Sequence, residues 1–171
     1  ASLQHFLGRP EAIESILAAR ERKPDGVAIR TIHTRILLES ADSTQLEEAP
    51  HEAMYADKTA QGRDAKAKRI LAMAYLRANQ PARAVTHAEA ALRLGDLEAI
   101  DHLIIAIAKG RLGQTGDARA HLKSAENAWP DELQNKDGHI ASAPGGVLWF
   151  ETAEEFNRLR AQARQALAKD R

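Results

Sequence analysis

The sequence predicts an all-α protein built as a solenoid of helical hairpins. Three observations lead there. The stretch 65–130 reads as two copies of one unit at an offset of 34 residues: Leu71-Ala72 returns as Ile105-Ala106, Ala74 as Ala108, Asn79 as Gly113, Ala84 as Ala118, His87 as His121 and Ala91 as Ala125. Self-similarity at a fixed period marks architectures in which each unit buries its apolar face against the next. Apolar residues within the unit recur at helical rather than strand spacing. Alanine is abundant and β-branched residues do not gather into strand-like runs, which also favours helices.

Taken in order, residues 1–64 are expected to form irregular N-terminal helices. Leu3, Phe6 and Leu7 precede Gly8 and suit a short helix or an apolar arm. Pro10 opens a helix to about Arg22, with Ile13, Ile16 and Leu17 on one face. Lys23-Pro24-Asp25-Gly26 is a turn signal. A second helix is predicted over Val27 to Ser40, with Ile29, Ile32, Ile36 and Leu37 inward. Ser43 or Thr44 is placed to cap a third, with Glu47 and Glu48 in its first turn and Pro50 near its start. Ala49 and Ala56 repeat the seven-residue spacing of Ala84 and Ala91, so 27–64 reads as a divergent repeat, the alternative being an unrelated helical pair.

The first clear copy covers 65–98. Its first helix, Lys66 to Ala78, carries Ile70, Leu71, Ala74 and Tyr75 on one side. Asn79, and Gly113 in the next copy, stand where a left-handed residue ends a helix. Pro81 then suits the first turn of the second helix, which runs to Leu94. Ala84, Val85, Ala88, Ala91 and Leu92 line it, small enough for two helices to approach closely. The second copy covers 99–130. Residues 131–150, with Asp137-Gly138 and Pro144-Gly145-Gly146, read as a long loop without a phosphate-binding motif. Trp149-Phe150 anchors the chain, and Thr152 to Glu155 forms a capping box. The final helix, within 151–171, has the stripe Phe156, Leu159, Ala163 and Leu167 and is expected to cap the solenoid. Its acids precede Arg158, Arg160, Arg164 and Lys169, which complements the helix dipole.

The unit resembles the tetratricopeptide repeat, a helix–turn–helix module of the same length. The residues that carry the resemblance are Leu71-Ala72 and Ile105-Ala106, Tyr75, Ala84 and Ala118, Ala91 and Ala125, and Pro130. Lys68 and His102 stand where that family has Trp, Ala88 replaces an aromatic residue, Lys109 a Tyr, and Asp96 the first closing proline. The resemblance implies a protein-interaction or scaffolding module that binds a peptide or helix in a groove lined by the first helices. The groove positions fall on Lys66, Arg69, Met73 and Arg77 in one copy, and on Ile100, Leu103, Ile104 and Ile107 in the next, with Arg111 also available to acidic groups. Met73 and Ile107 replace the Asn residues that clamp a terminal carboxylate in some such arrays, so that clamp is not expected.

Burying Ile100, Leu103, Ile104 and Ile107 is worth roughly 1.5–3 kcal/mol each, comparable in sum to the net stability of a small domain. Something is therefore expected to cover them: the arm around Phe6-Leu7, the loop carrying Ile140 and Trp149, a second copy in a homodimer, or a partner's amphipathic helix. An open groove implies that Leu103→Asp abolishes capture without unfolding the chain.

Other classes find little support. The 171 residues carry 24 basic and 24 acidic side chains, interspersed, against a nucleic-acid binder. There is no cysteine, which excludes disulfides and thiol catalysis. No apolar run reaches membrane-spanning length and no signal peptide is visible. Because the chain begins at Ala1, a fragment or processed protein is expected; the location is left open, with the cytoplasm slightly favoured. His87 and His121 share a repeat position and could share a metal, but no third ligand is evident and equivalent sites on adjacent helices lie about 10 Å apart, so structural recurrence is the expectation. Asp101-His102 are sequence neighbours that point apart on a helix. Glu47-Glu48 and Glu154-Glu155 are helix-start charges. No His-Glu-x-x-His or Gly-x-Ser-x-Gly occurs. No catalytic activity and no cofactor are expected; the enzymatic alternative places a site around His139.

Overall fold

The computed structural model describes residues 10–23, 25–39, 42–95, 98–129 and 153–168, and these hold helices and tight turns with no strand. The helices are α1 (Pro10–Arg22), α2 (Val27–Glu39), α3 (Ser43–Thr59), α4 (Ala65–Arg77), α5 (Pro81–Leu94), α6 (Glu98–Arg111), α7 (Thr115–Ala128) and α8 (Ala153–Ala168). Three hairpins, α2–α3, α4–α5 and α6–α7, stack through α3 on α4 and α5 on α6. The first helices also meet one another, α2 with α4 and α4 with α6. The described residues thus form an all-α solenoid of stacked helical hairpins.

Local chemistry explains where the helices stop. Asn79 and Gly113 adopt φ of 54° and 72°, the left-handed region that Gly and Asn tolerate best. Each sets up the same pair of closing bonds. Gln80 N donates to Tyr75 O and Asn79 N to Leu76 O after α4; Gln114 N donates to Lys109 O and Gly113 N to Gly110 O after α6. Four carbonyls that the helices leave without partners are thereby satisfied. Asp64 caps α4 by accepting from Ala67 N at 2.9 Å. The α3 start corrects the expectation for Ser43 or Thr44. Asp42 is the cap and accepts from Thr44 N at 2.8 Å, so Glu47 and Glu48 fall beyond the first turn. Pro50 lies inside α3 rather than near its start. The helix continues through it because Ala49, Ala53 and Ala56 are fully buried against neighbours, and that packing outweighs one lost backbone bond.

Alanine sets the spacing between paired helices. Ala84, Ala88 and Ala91 of α5, and Ala118 and Ala125 of α7, are completely buried, while Val85, Leu92 and Leu122 pack at the margin of the same core. Ion pairs tie the helices together both between and within hairpins. Arg69 of α4 holds Asp101 of α6 with two bonds, Nε to Oδ1 at 2.7 Å and Nη2 to Oδ2 at 3.0 Å. Glu52 of α3 gathers Arg20 of α1 and Arg30 of α2, with His33 Nδ1 at 3.6 Å.

Candidate functional site

The expected groove is the face formed by α2, α4 and α6, and α8 lies on it. Glu155, near the start of α8, places Oε2 2.6 Å from Arg35 Nη2 of α2. Arg158 bonds Glu39 of α2 and Glu155. Leu159 and Gln162 border Met73, Leu76 and Arg77 of α4. Farther along, the backbone and Cβ of Ala166 approach Gly110 of α6. Phe156 stacks on Trp129, just after α7, with ring centroids 4.4 Å apart. The stripe Phe156, Leu159, Ala163 and Leu167 is buried.

Two expectations change as a result. Ile100, Leu103, Ile104 and Ile107 are buried to 1% exposure or less, and Met73 is buried as well, so this wall is core and is not free to receive a partner. The cover comes from the chain's own C-terminal helix, which runs along the face as well as closing the array. Arg69 is only 2% exposed and spent on Asp101, so it cannot meet a partner's acid. The Phe6-Leu7 arm, Asp96, Pro130, the 131–150 loop with His139, Ile140 and Trp149, and Thr152 of the proposed capping box lie outside the described residues. Glu155 of that box turns to Arg35 and Arg158. Burial alone would raise its carboxyl, but the charges and hydrogen bonds of those two arginines hold it below the usual carboxylate range.

The close approach at Gly110 makes α8 docking testable. A Cβ there would sit 3.0 Å from Ala166 Cβ, so a larger side chain must push α8 away. Gly110→Val is expected to cost about 1–3 kcal/mol, read by urea unfolding. Ala166→Gly in the same chain should recover part of that loss; no recovery would mean the strain lies elsewhere.

The groove residues left in contact with solvent are Lys66, Arg77 and Arg111. Arg77 and Arg111 occupy the same repeat position in the last turns of α4 and α6. They line an open cleft of about 1000 Å³ with Asn79, Gly110, Gln162 and Gln165. Arg111 Nη1 donates to Leu76 O at 2.6 Å. Burial, and secondarily the charge of Arg77, pull the Arg111 guanidinium below its ordinary value. A second open cleft, of about 670 Å³, runs beside α3 and is lined by Leu46, Pro50, Met54 and Tyr75. Arg77 and Asn79 belong to both clefts. Sequence reasoning named Arg77 and Arg111 but missed the cleft beside α3, because Leu46, Pro50 and Met54 meet Arg77 and Asn79 only through the stacking of α3 on α4.

Among the described residues, His87, His102 and His121 pack against other rings. His87 stacks on Tyr75 at 5.3 Å between centroids, and His121 meets His102 with Nδ1 atoms 2.9 Å apart. Among the described residues no group of three or more His, Asp or Glu is arranged to hold a metal, and no helix is long and apolar enough to cross a membrane. Burial is the leading cause that lowers the pKa of His33, His87 and His121. The facing charges are Arg20, Glu52 and Glu48 for His33; Lys68, Asp57 and Arg83 for His87; and His102, Lys109, Glu89 and Asp117 for His121. With the folded pKa below the unfolded one, the unfolded chain binds more protons. Their contribution is therefore full above about pH 6.5 and is lost as pH falls through the lowered folded values. Thermal unfolding should drop by a few degrees between pH 7.5 and 5, and His121→Gln should flatten that slope. A flat profile in the parent protein would contradict the assignment.

No protein-family description matches the chain, and no curated protein matches it. Among solved structures it is similar to a thermophilic tetratricopeptide-repeat protein of Thermus thermophilus, with a TM-score of 0.61 and 17% identity, over 93% of this chain and 73% of that one. The likeness is one of fold, and it agrees with the stacked hairpins.

Proposed function

We propose that the protein is a non-catalytic interaction or scaffolding module that holds a polypeptide segment along the edge where its first helices end. One observation carries the reading: two open clefts, one beside α8 and one beside α3, share Arg77 and Asn79. An extended segment passing over that shared ridge meets apolar surface at Leu46, Pro50 and Met54 on one side. On the other it meets the basic and amide groups of Arg77, Arg111, Gln162 and Gln165. Met54 adds exposed apolar surface to that side. The tetratricopeptide-like fold supports a protein partner, since its stacked helices offer an extended binding surface.

Residue-resolved crosslinking tests this reading. Photoreactive groups placed in turn at Met54 and Gln165 are expected to trap the same polypeptide, while one at Arg119, exposed on α7, traps none. Trapping of a second copy of the chain at both sites would replace this reading with self-association. Equal trapping at Arg119 would contradict it.

A further inference from the structure

We propose that His102 and His121 form a binding site for a single divalent transition-metal ion, held between α6 and α7 by the Nδ1 atoms of the two imidazoles, with water completing its coordination. The site goes beyond the interaction reading and does not rest on it.

The hairpin itself sets the two rings together. The left-handed turn at Gly113 folds α7 back along α6 and brings His121 level with His102. Their Nδ1 atoms are 2.9 Å apart and their ring centroids 5.1 Å apart. At that separation the two nitrogens share one hydrogen: one ring carries its proton on Nδ1 and donates, and the other accepts through a bare Nδ1. Both rings are half-buried, so packing holds them while an ion and its waters can still reach them. In the preceding copy the corresponding positions are Lys68 and His87. Lys68 reaches Asp57 there, and His87 stacks on Tyr75. The repeat is therefore satisfied by one imidazole, and the second, at His102, is an addition particular to this hairpin.

Coordination chemistry names the class of ion. Imidazole nitrogen binds zinc at about 2.0–2.1 Å, and two such bonds to atoms 2.9 Å apart meet at about 90°. That is the cis angle of octahedral and square-planar sites, and a swing of either ring that widens the gap to about 3.3 Å gives the tetrahedral angle of zinc. Neutral imidazole suits nickel, copper and zinc, whereas calcium and magnesium take oxygen ligands. Charge favours a cation as well. The carboxylates of Glu89 and Asp117 act on the His121 ring, opposed by Lys109, which Asp117 holds at 2.8 Å. Protons balance without release from the neutral pair. The ring that donated moves its proton from Nδ1 to Nε2, the other already carries its proton on Nε2, and both Nδ1 lone pairs turn to the ion. The bound ion joins α6 to α7.

The test uses the whole chain and zinc chloride near neutral pH, read from the imidazole nitrogen resonances of labelled protein. Zinc is expected to shift the Nδ1 resonances of His102 and His121 together along one saturating curve and to leave both rings protonated on Nε2. The thermal midpoint should rise by a few degrees with free zinc at about 100 times its Kd. His121→Gln removes one donor and should weaken zinc binding at the His102 ring about tenfold or more, while His87→Gln leaves it unchanged. Zinc that leaves a proton on either Nδ1, that shifts all accessible histidine rings along one non-saturating line, or that binds His121→Gln as tightly as the parent chain would overturn the inference. The protonation pattern is read in the parent chain, so it decides the matter even where a variant folds poorly.

Discussion

Replacing Leu103 with aspartate is expected to abolish folding. Leu103 is 0% exposed in α6 and belongs to one core with Ile100, Ile104, Ile107, Phe156 and Leu159. A carboxylate placed there has no counter-charge of its own, because the nearest buried acid on the helix, Asp101, already holds Arg69. An unpaired buried charge costs more than a domain of this size has to spare. The graded version is Leu103→Ala, which removes packing without adding charge and should cost about 2–5 kcal/mol, depending on how far the cavity collapses. Circular dichroism and urea unfolding check both. A Leu103→Asp chain that unfolds cooperatively at the parent midpoint would restore the open groove that the sequence suggested and contradict the buried wall.

Truncating Asp101 to alanine is expected to cost about 3–5 kcal/mol, because it leaves Arg69 buried and uncompensated. The pair joins α4 to α6, so the loss falls on stacking between repeats rather than on either helix alone. Replacing both partners with apolar residues of similar volume, Arg69→Met with Asp101→Leu, should be close to neutral, since it removes the desolvation cost along with the attraction. Urea midpoints of the single and double variants form the comparison. Equal destabilisation by Asp101→Ala and by the double replacement would mean that shape, rather than charge pairing, limits this contact.

The repeat itself was legible because it is written in local chemistry. Asn79 and Gly113 mark the same left-handed stop, Pro81 marks the helix start in the first copy, and the alanines of α5 and α7 mark the same close approach. Such signals act within a few residues of themselves, so spacing alone exposes them. The α3 cap was misplaced by one or two positions because Asp42, Ser43 and Thr44 are all good capping residues, and the choice among them follows backbone geometry.

The site was less legible for a different reason. Sequence placed Lys66, Arg69, Met73, Arg77, Ile100, Leu103, Ile104, Ile107 and Arg111 on one face. Sequence could not say which of them are used up. Arg69 and Asp101 are 32 positions apart, and Arg35 and Glu155 are 120 apart. Pairing over such distances depends on how the helices stack. The apolar stripe of α8 was visible, as was the apolar wall of α6, and each demanded cover. That the two satisfy each other became clear only from their positions.

The central claim is that α8 packs on α6 of its own chain. It is tested most directly by a disulfide trap in a protein that otherwise has no cysteine. A Gly110→Cys, Ala166→Cys chain places two Cβ atoms within reach of a bridge, given a small adjustment from 3.0 Å toward the ~3.8 Å that disulfides prefer. Oxidation is expected to give an intramolecular crosslink in nearly every molecule at all protein concentrations. Chains that stay reduced, or that link only into dimers as concentration rises, would contradict the account.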